Sequence, residues 1–200
     1  MASQPPMNMK NKCVYVFFSA PITPQSVDTL IEAVSHTVAT GCREIYLVFS
    51  TVGGSVADGI RLHNYLRGLP CRLTVHGIGN VDSIGITVFV AADKRYAAPH
   101  VRFLFHGVGM EHPKGRFTEK MLLEMLGTIQ KDQARISDVI TDRTKITPSE
   151  MEDFFRKAAT QDTTFALSKN VIEEIRPFKQ DASYPVITIK VSGVGGSDES

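Results

Sequence analysis

The stretch EIYLVFSTVGGSVADGIRLHNYLRGL, residues 44–69, changes its hydrophobic period halfway along. EIYLVFS (44–50) has the length and the β-branched and aromatic content of a buried strand, whereas SVADGIRLHNYLRGL (55–69) reads as a helix capped by Ser55. Between them stand Gly53 and Gly54. Such a pair has two readings: it makes a tight turn, or it lets backbone N–H groups approach a bound molecule, as an oxyanion hole or phosphate cradle requires. Upstream, VYVFF (14–18) is a strand. Thr23 and Pro24 then start a helix whose apolar positions Val27, Leu30, Ile31, Val34 and Val38 recur every three or four residues, and Gly41 closes it. Downstream, RLTVHGI (72–78) is a third strand. This β-α-β-α-β order predicts an α/β fold with a mostly parallel sheet.

After an apolar segment at 83–92, KRYAA and VRFLFH read as two short strands separated by Pro99. Residues 117–141 form a long helix with an apolar stripe of Leu122, Met125, Leu126, Ile129, Ile136 and Ile140, which must be covered by the domain or by another subunit. Thr147, Pro148 and Glu150 make a capping box for a short helix, another helix follows Asp162, and YPVITIKV (184–191) reads as a late edge strand. The pattern divides the chain into a disordered N-terminus (1–12), one domain over 13–180 that includes the long helix, and a C-terminal strand with a flexible tail (181–200).

Composition excludes several function classes. Among 200 residues, 22 Lys and Arg balance 21 Asp and Glu, and no block of like charge favours nucleic acid or an anionic membrane. Cys13, Cys42 and Cys71 are odd in number and distant in sequence, without CxxC or Cys/His spacing, so they read as reduced thiols rather than disulfides or a zinc site. No metal or cofactor is implied. The first dozen residues lack the apolar core of a signal peptide and no stretch is apolar enough to span a bilayer, which places the protein in the cytoplasm.

Two side chains carry candidate chemistry. Ser83, in GNVDSIG (79–85), stands where a helix would begin, so the N–H groups of Ile84 and Gly85 would be free to meet developing negative charge. The bland alternative is that Ser83 or Asp82 is an N-cap; Ile84, Ile86, Thr87, Val88 and Val90 would also suit a strand. The G-x-S-x-G elbow is not met, because Val81 replaces its first glycine. His106 ends a strand and precedes Gly107 and Gly109, a position from which it can project into a cleft as a general base, or simply lie hydrogen-bonded at the surface.

The combination is more specific than its parts. Strand–GGSV–helix, then G-x-x-x-S-x-G in GNVDSIG, then R-Y-x-x-P-x-x-x-x-x-x-H in RYAAPHVRFLFH, resembles the Clp protease proteolytic-subunit family of serine peptidases. ALSKNVIEEI (166–175) is similar to that family's closing segment, so the resemblance covers residues 14 to 175. It implies a ClpP/crotonase-like fold with the 117–141 helix as a protruding handle joining two rings. Ser83 would be nucleophile and His106 general base. The N–H groups of Gly53, Gly54 and Ile84 would form the oxyanion hole. The expected activity is endopeptidase hydrolysis of peptides or unfolded chains inside a homo-oligomeric chamber.

The sequence departs from the family at telling positions. Counted without gaps, the third catalytic residue and the basic residue after it fall on Ala158 and Ala159, and Asp162 is the nearby carboxylate that could substitute, although the following helix would claim it as N-cap. Val52 replaces a proline and Asp82 a small residue, and the N-terminal segment that engages an ATPase ring is shorter here, which leaves an ATPase partner open. A triad without its carboxylate still acts, more slowly. The alternatives are a catalytically impaired subunit with an assembly or regulatory role and, within the same fold superfamily, a crotonase-like acyl-CoA enzyme, for which no pair of catalytic glutamates is evident.

Overall fold

The computed structural model describes residues 13–111 and 115–190. The chain opens with β1 (Cys13–Ser19), α1 (Pro24–Ala39), β2 (Glu44–Thr51), α2 (Val56–Arg67) and β3 (Arg72–Asp82). Both helices begin at the expected caps: Thr23 accepts the Ser26 N–H and Ser55 the Asp58 N–H. The three strands are mutually parallel, as helical crossovers require. Their buried residues, including Val16, Phe18, Leu47, Phe49 and Val75, meet Leu30 and Val34 of α1 and Leu62 and Leu66 of α2 in one core.

β3 runs eleven residues, longer than the expected 72–78. Its register against β2 slips between Phe49 and Thr51. The extension lets β3 pair first with β4 (Lys94–Ala97) and then, through Asn80–Asp82, with β5 (Arg102–Phe105). Between β3 and β4 lies α3 (Ile84–Phe89), with all six residues buried. Its β-branched content favours a strand locally, but packing decides otherwise. Gly59 of α2 lets the two helices touch, since a Cβ there would stand 2.2 Å from Ile84 Cγ1. Arginines satisfy the carbonyls at the far end of α3: Arg143 donates to Val90 and Ala92 (3.1 and 3.0 Å) and Arg67 to Ala91 (3.3 Å).

The chain continues through α4 (Glu119–Arg143), α5 (Pro148–Lys157), β6 (Ala159–Gln161), α6 (Thr163–Ser168), β7 (Glu174–Ile175) and β8 (Val186–Thr188). The sheet order is β6-β5-β3-β2-β1-β8, with β4 pairing β3 and β7. Among the described residues only β6 runs antiparallel, on β5. β6 and β7 are too short to show a period in sequence. The strand expected at 184–191 shrinks to the three residues of β8. The long helix starts at Glu119 because Thr118 caps it, and runs to Arg143. Its stripe divides: Ile136 and Ile140 are buried, whereas Leu122 and Leu126 are half exposed and lie near exposed Met121 and Leu123. The expected disordered N-terminus and most of the expected tail lie outside the described residues.

The cysteines, distant in sequence, converge in space. Cys13, Cys42 and Cys71 line one cavity with Arg43, Glu44 and Arg72 at the N-terminal ends of β1 to β3. Among the described residues none of the three forms a disulfide. Burial raises each thiol pKa, that of Cys13 to about 12, which keeps them protonated and unreactive.

Two buried histidines make stability pH-dependent. His63 Nδ1 lies 2.7 Å from the Thr87 carbonyl, and His76 bridges Tyr46 Oη (2.8 Å) and the Arg176 carbonyl (3.0 Å). Burial is the main cause lowering both pKa values, so the unfolded chain binds protons that the folded chain refuses. Their contribution is fully present above the unfolded value of about 6.5 and is lost as pH falls through the lower folded values. Thermal melts should therefore show a constant Tm from pH 8 to 7 and a steep fall below about 6.5. His63→Gln should flatten that fall.

Candidate active site

The candidate residues meet beyond the C-terminal ends of β2, β3 and β5, where ligands of open parallel sheets bind. After β2, the buried Thr51 hydroxyl donates to the Ala20 carbonyl (2.7 Å) and accepts the Gly53 N–H (3.1 Å). The turn is tied to the segment after β1 by Ile22 N–H donating to Gly53 O and Ser55 N–H to Ile22 O, both 2.8 Å. These bonds leave the Gly54 amide out of the pairing. Both glycines have positive φ, +90° at Gly53 and +149° at Gly54.

The Gly53 N–H, expected among the oxyanion donors, is bonded to the Thr51 hydroxyl in this structure. The lack of a side chain at Gly53 also has a steric use. A Cβ at Gly53 would lie 2.6 Å from Ser83 Cβ, so only glycine lets the turn approach the serine this closely.

Ser83 joins β3 directly to α3 with φ 59° and ψ −131°. A non-glycine residue in this region is strained and persists only where its surroundings fix it. They do: Ser83 N–H donates to Leu104 O of β5 (2.8 Å), and Ser83 O accepts from Ile86 N (3.0 Å). Ser83 occupies the N-cap position of α3, but its side chain makes no capping bond and so is not spent on the helix. The result is a strand-to-helix elbow of the kind that exposes a nucleophile, reached without the usual first glycine. Gly85, two residues on, is needed, as its Cβ would meet Thr51 Cγ2 at 2.2 Å.

Ser83, His106, Gly54 and Ile84 line a single cleft of about 330 Å³. Its remaining wall is largely apolar and includes Val52, Phe105, Ile136, Ile140, Met151 and Phe155. His106 follows β5 and is exposed, with Nδ1 2.8 Å from the Gly107 carbonyl. A carbonyl only accepts, so Nδ1 carries the proton and Nε2 presents its lone pair.

The candidate carboxylates lie elsewhere. Asp162 is the N-cap of α6, accepting the Phe165 N–H at 2.8 Å. The β5–β6 register pairs Phe103 with Gln161 and Phe105 with Ala159. Continued by one residue at each end, it sets Asp162 beside Arg102, about 13 Å along the strand from His106. Ala158 falls opposite His106 instead, at the C-cap of α5 with φ 47°. It offers only a methyl group. Asp82 is buried and bonds Arg102 through Oδ2 at 3.0 Å, while its Oδ1 has no hydrogen-bond partner among the described residues. Sequence reasoning missed Thr51, whose bond to a backbone amide two residues away leaves no trace in hydrophobic pattern.

A single α/β domain with a serine at a strand-to-helix elbow, a histidine after the strand on one side and a glycine pair after the strand on the other is the class that these features define. The chain belongs to the Clp protease family, whose profile matches residues 4–196. The ATP-dependent Clp protease proteolytic subunit 1 of Chlamydia pneumoniae is 28% identical over 151 residues, 74% of this chain and 76% of that protein. The subunit of the same name from Corynebacterium jeikeium is 36% identical over 73 residues, 34% of this chain and only 39% of the relative's length. A mutant ClpP1 structure from Listeria monocytogenes superposes with a TM-score of 0.72 at 20% identity, covering 82% of this chain and 92% of that one, which shows a shared fold. Among the described residues, no helix is long and apolar enough to cross a membrane.

Proposed function

We propose that the chain is a serine peptidase subunit that hydrolyses peptides or unfolded protein segments. The observation that carries this reading is the strained Ser83 sharing one cleft with His106, Gly54 and Ile84. Ser83 Oγ would attack the scissile carbonyl carbon as His106 Nε2 takes its proton, and the N–H groups of Gly54 and Ile84 would hold the resulting oxyanion. The imidazolium would then protonate the leaving amine. Water, deprotonated by the same Nε2, would hydrolyse the ester and return the proton to Ser83. The apolar wall suits an apolar side chain next to the scissile bond, and the exposed face of Met121, Leu122, Leu123 and Leu126 supports assembly into a homo-oligomeric chamber. A cytoplasmic location and an ATPase partner belong to the same proposal and rest on family membership alone.

Intact-mass measurement after treatment with a fluorophosphonate tests the reading. One adduct is expected on the natural chain, none on Ser83→Ala, and a labelling rate at least a hundredfold lower on His106→Ala, in line with the loss of a general base. Absence of any adduct on a folded, assembled sample would instead favour the second reading, a catalytically impaired subunit, which the methyl group of Ala158 supports.

A further inference from the structure

We propose that Gln133 is a positioning residue for His106, acting through the peptide that joins Gly107 to Val108. This rests on the reading of His106 as general base. With alanine opposite His106, the acceptor of its Nδ1 proton is the Gly107 carbonyl at 2.8 Å. A carbonyl one residue away is a poor orienter if its peptide can rotate, because the imidazole and the acceptor would then turn together.

The peptide is held. Its C=O and N–H belong to one rigid plane, so fixing the N–H fixes the carbonyl. Gln133, near the middle of α4, accepts the Val108 N–H through Oε1 at 3.2 Å. The donor identifies the oxygen as the atom in contact. From the other side α5 closes on Gly107: a Cβ there would lie 2.6 Å from the Phe155 carbonyl and 3.2 Å from Gln133 Oε1. Two helices thus clamp the plane whose oxygen faces the imidazole. Accepting the N–H also polarises the carbonyl on the same peptide, strengthening the bond it receives from Nδ1. Gln133 is not among the residues lining the cleft, so its effect should appear in the chemical step and not in binding.

The test follows fluorophosphonate labelling of Ser83 at several reagent concentrations, separating the maximal rate constant from the reagent's half-saturation. Gln133→Leu, which keeps size and removes the acceptor, should lower the maximal rate about ten- to a hundredfold with half-saturation and Tm unchanged. Gln133→Glu, which keeps an acceptor, should regain most of it. In an Ala158→Asp background, where a carboxylate can hold Nδ1 directly, Gln133→Leu should cost less than about twofold, the non-additivity expected of two groups serving one atom. An equal loss in both backgrounds, a loss confined to half-saturation, or no loss would overturn the proposal and leave the Ser–His reading standing. Labelling that appears only after Ala158→Asp would also overturn it, since the natural orienter would then be ineffective. No labelling in either background overturns the peptidase reading itself, and this proposal with it.

Discussion

Ala158→Asp is expected to accelerate phosphonylation of Ser83 by about ten- to a thousandfold, within the roughly 10⁴ that the carboxylate contributes in a complete triad. Extended by one residue beyond Phe105 and Ala159, the register of β5 with β6 would set residue 158 across from His106, where a carboxylate would be offered to the imidazole. It would replace a neutral carbonyl with a charged acceptor and stabilise the imidazolium formed as Ser83 loses its proton. Ala158 sits at φ 47° and ψ 137°, outside the left-handed helical well, so the backbone is strained for either side chain and the gain comes from the carboxylate alone. Asp162→Ala, by contrast, should weaken the start of α6 by about 1 kcal/mol and leave the labelling rate within twofold, because that carboxylate already caps Phe165. Pseudo-first-order labelling rates for the two variants decide the matter. A slow Ala158→Asp chain with unaltered Tm would mean that residue 158 does not reach His106.

Gly54→Ala should have the largest effect of any single methyl group in the chain. Its Cβ would be placed 2.1 Å from the Ile22 carbonyl oxygen, a backbone atom that cannot step aside. That oxygen accepts the Ser55 N–H, and Ile22 N–H bonds Gly53 O, so relief of the clash opens both bonds of the bridge between the two turns. The expected costs are about 2–4 kcal/mol of stability and at least a hundredfold in labelling, the usual consequence of displacing an oxyanion donor. Gly127→Ala is the control: it lies in α4 with nothing within 4 Å of an added Cβ, and should leave labelling unchanged while raising stability by up to about 1 kcal/mol. Denaturant midpoints measured beside labelling rates separate the two costs. If Gly54→Ala labels as fast as the natural chain, its amide has no part in the chemistry.

Much of this architecture can be read from local pattern. Thr23, Ser55 and Thr147 each announce a helix by a side chain that caps it, and the period change around Gly53 and Gly54 marks the turn that brings a backbone close to Ser83. What escapes is whatever depends on non-local pairing. β6 has three residues and acquires meaning only by lying against β5, yet its register, extended by one residue, is what points to Ala158 rather than Asp162 as the position facing His106. The slip in β3 that allows two partners on one edge, the gathering of three cysteines and the bond from Gln133 to Val108 likewise join segments between about 20 and 60 residues apart, beyond the reach of any periodicity. Ser83 itself shows the limit of propensity: the residues after it suit a strand, and packing against Gly59 makes them a helix.

Ser83 and His106 hang from adjacent strands of one sheet, bonded directly by the Ser83 amide to Leu104, whereas residue 158 arrives from the cap of a separate helix onto a three-residue edge strand. On the proposed mechanism, nucleophile and base are therefore inherited together, as part of the framework, and the orienting group is a detachable accessory. Every alanine codon is one base from an acidic one, aspartate or glutamate. On the same proposal a lineage could throttle the activity, or restore it, with one mutation at position 158 that leaves the framework intact, and the same position is where an engineer would place a dial.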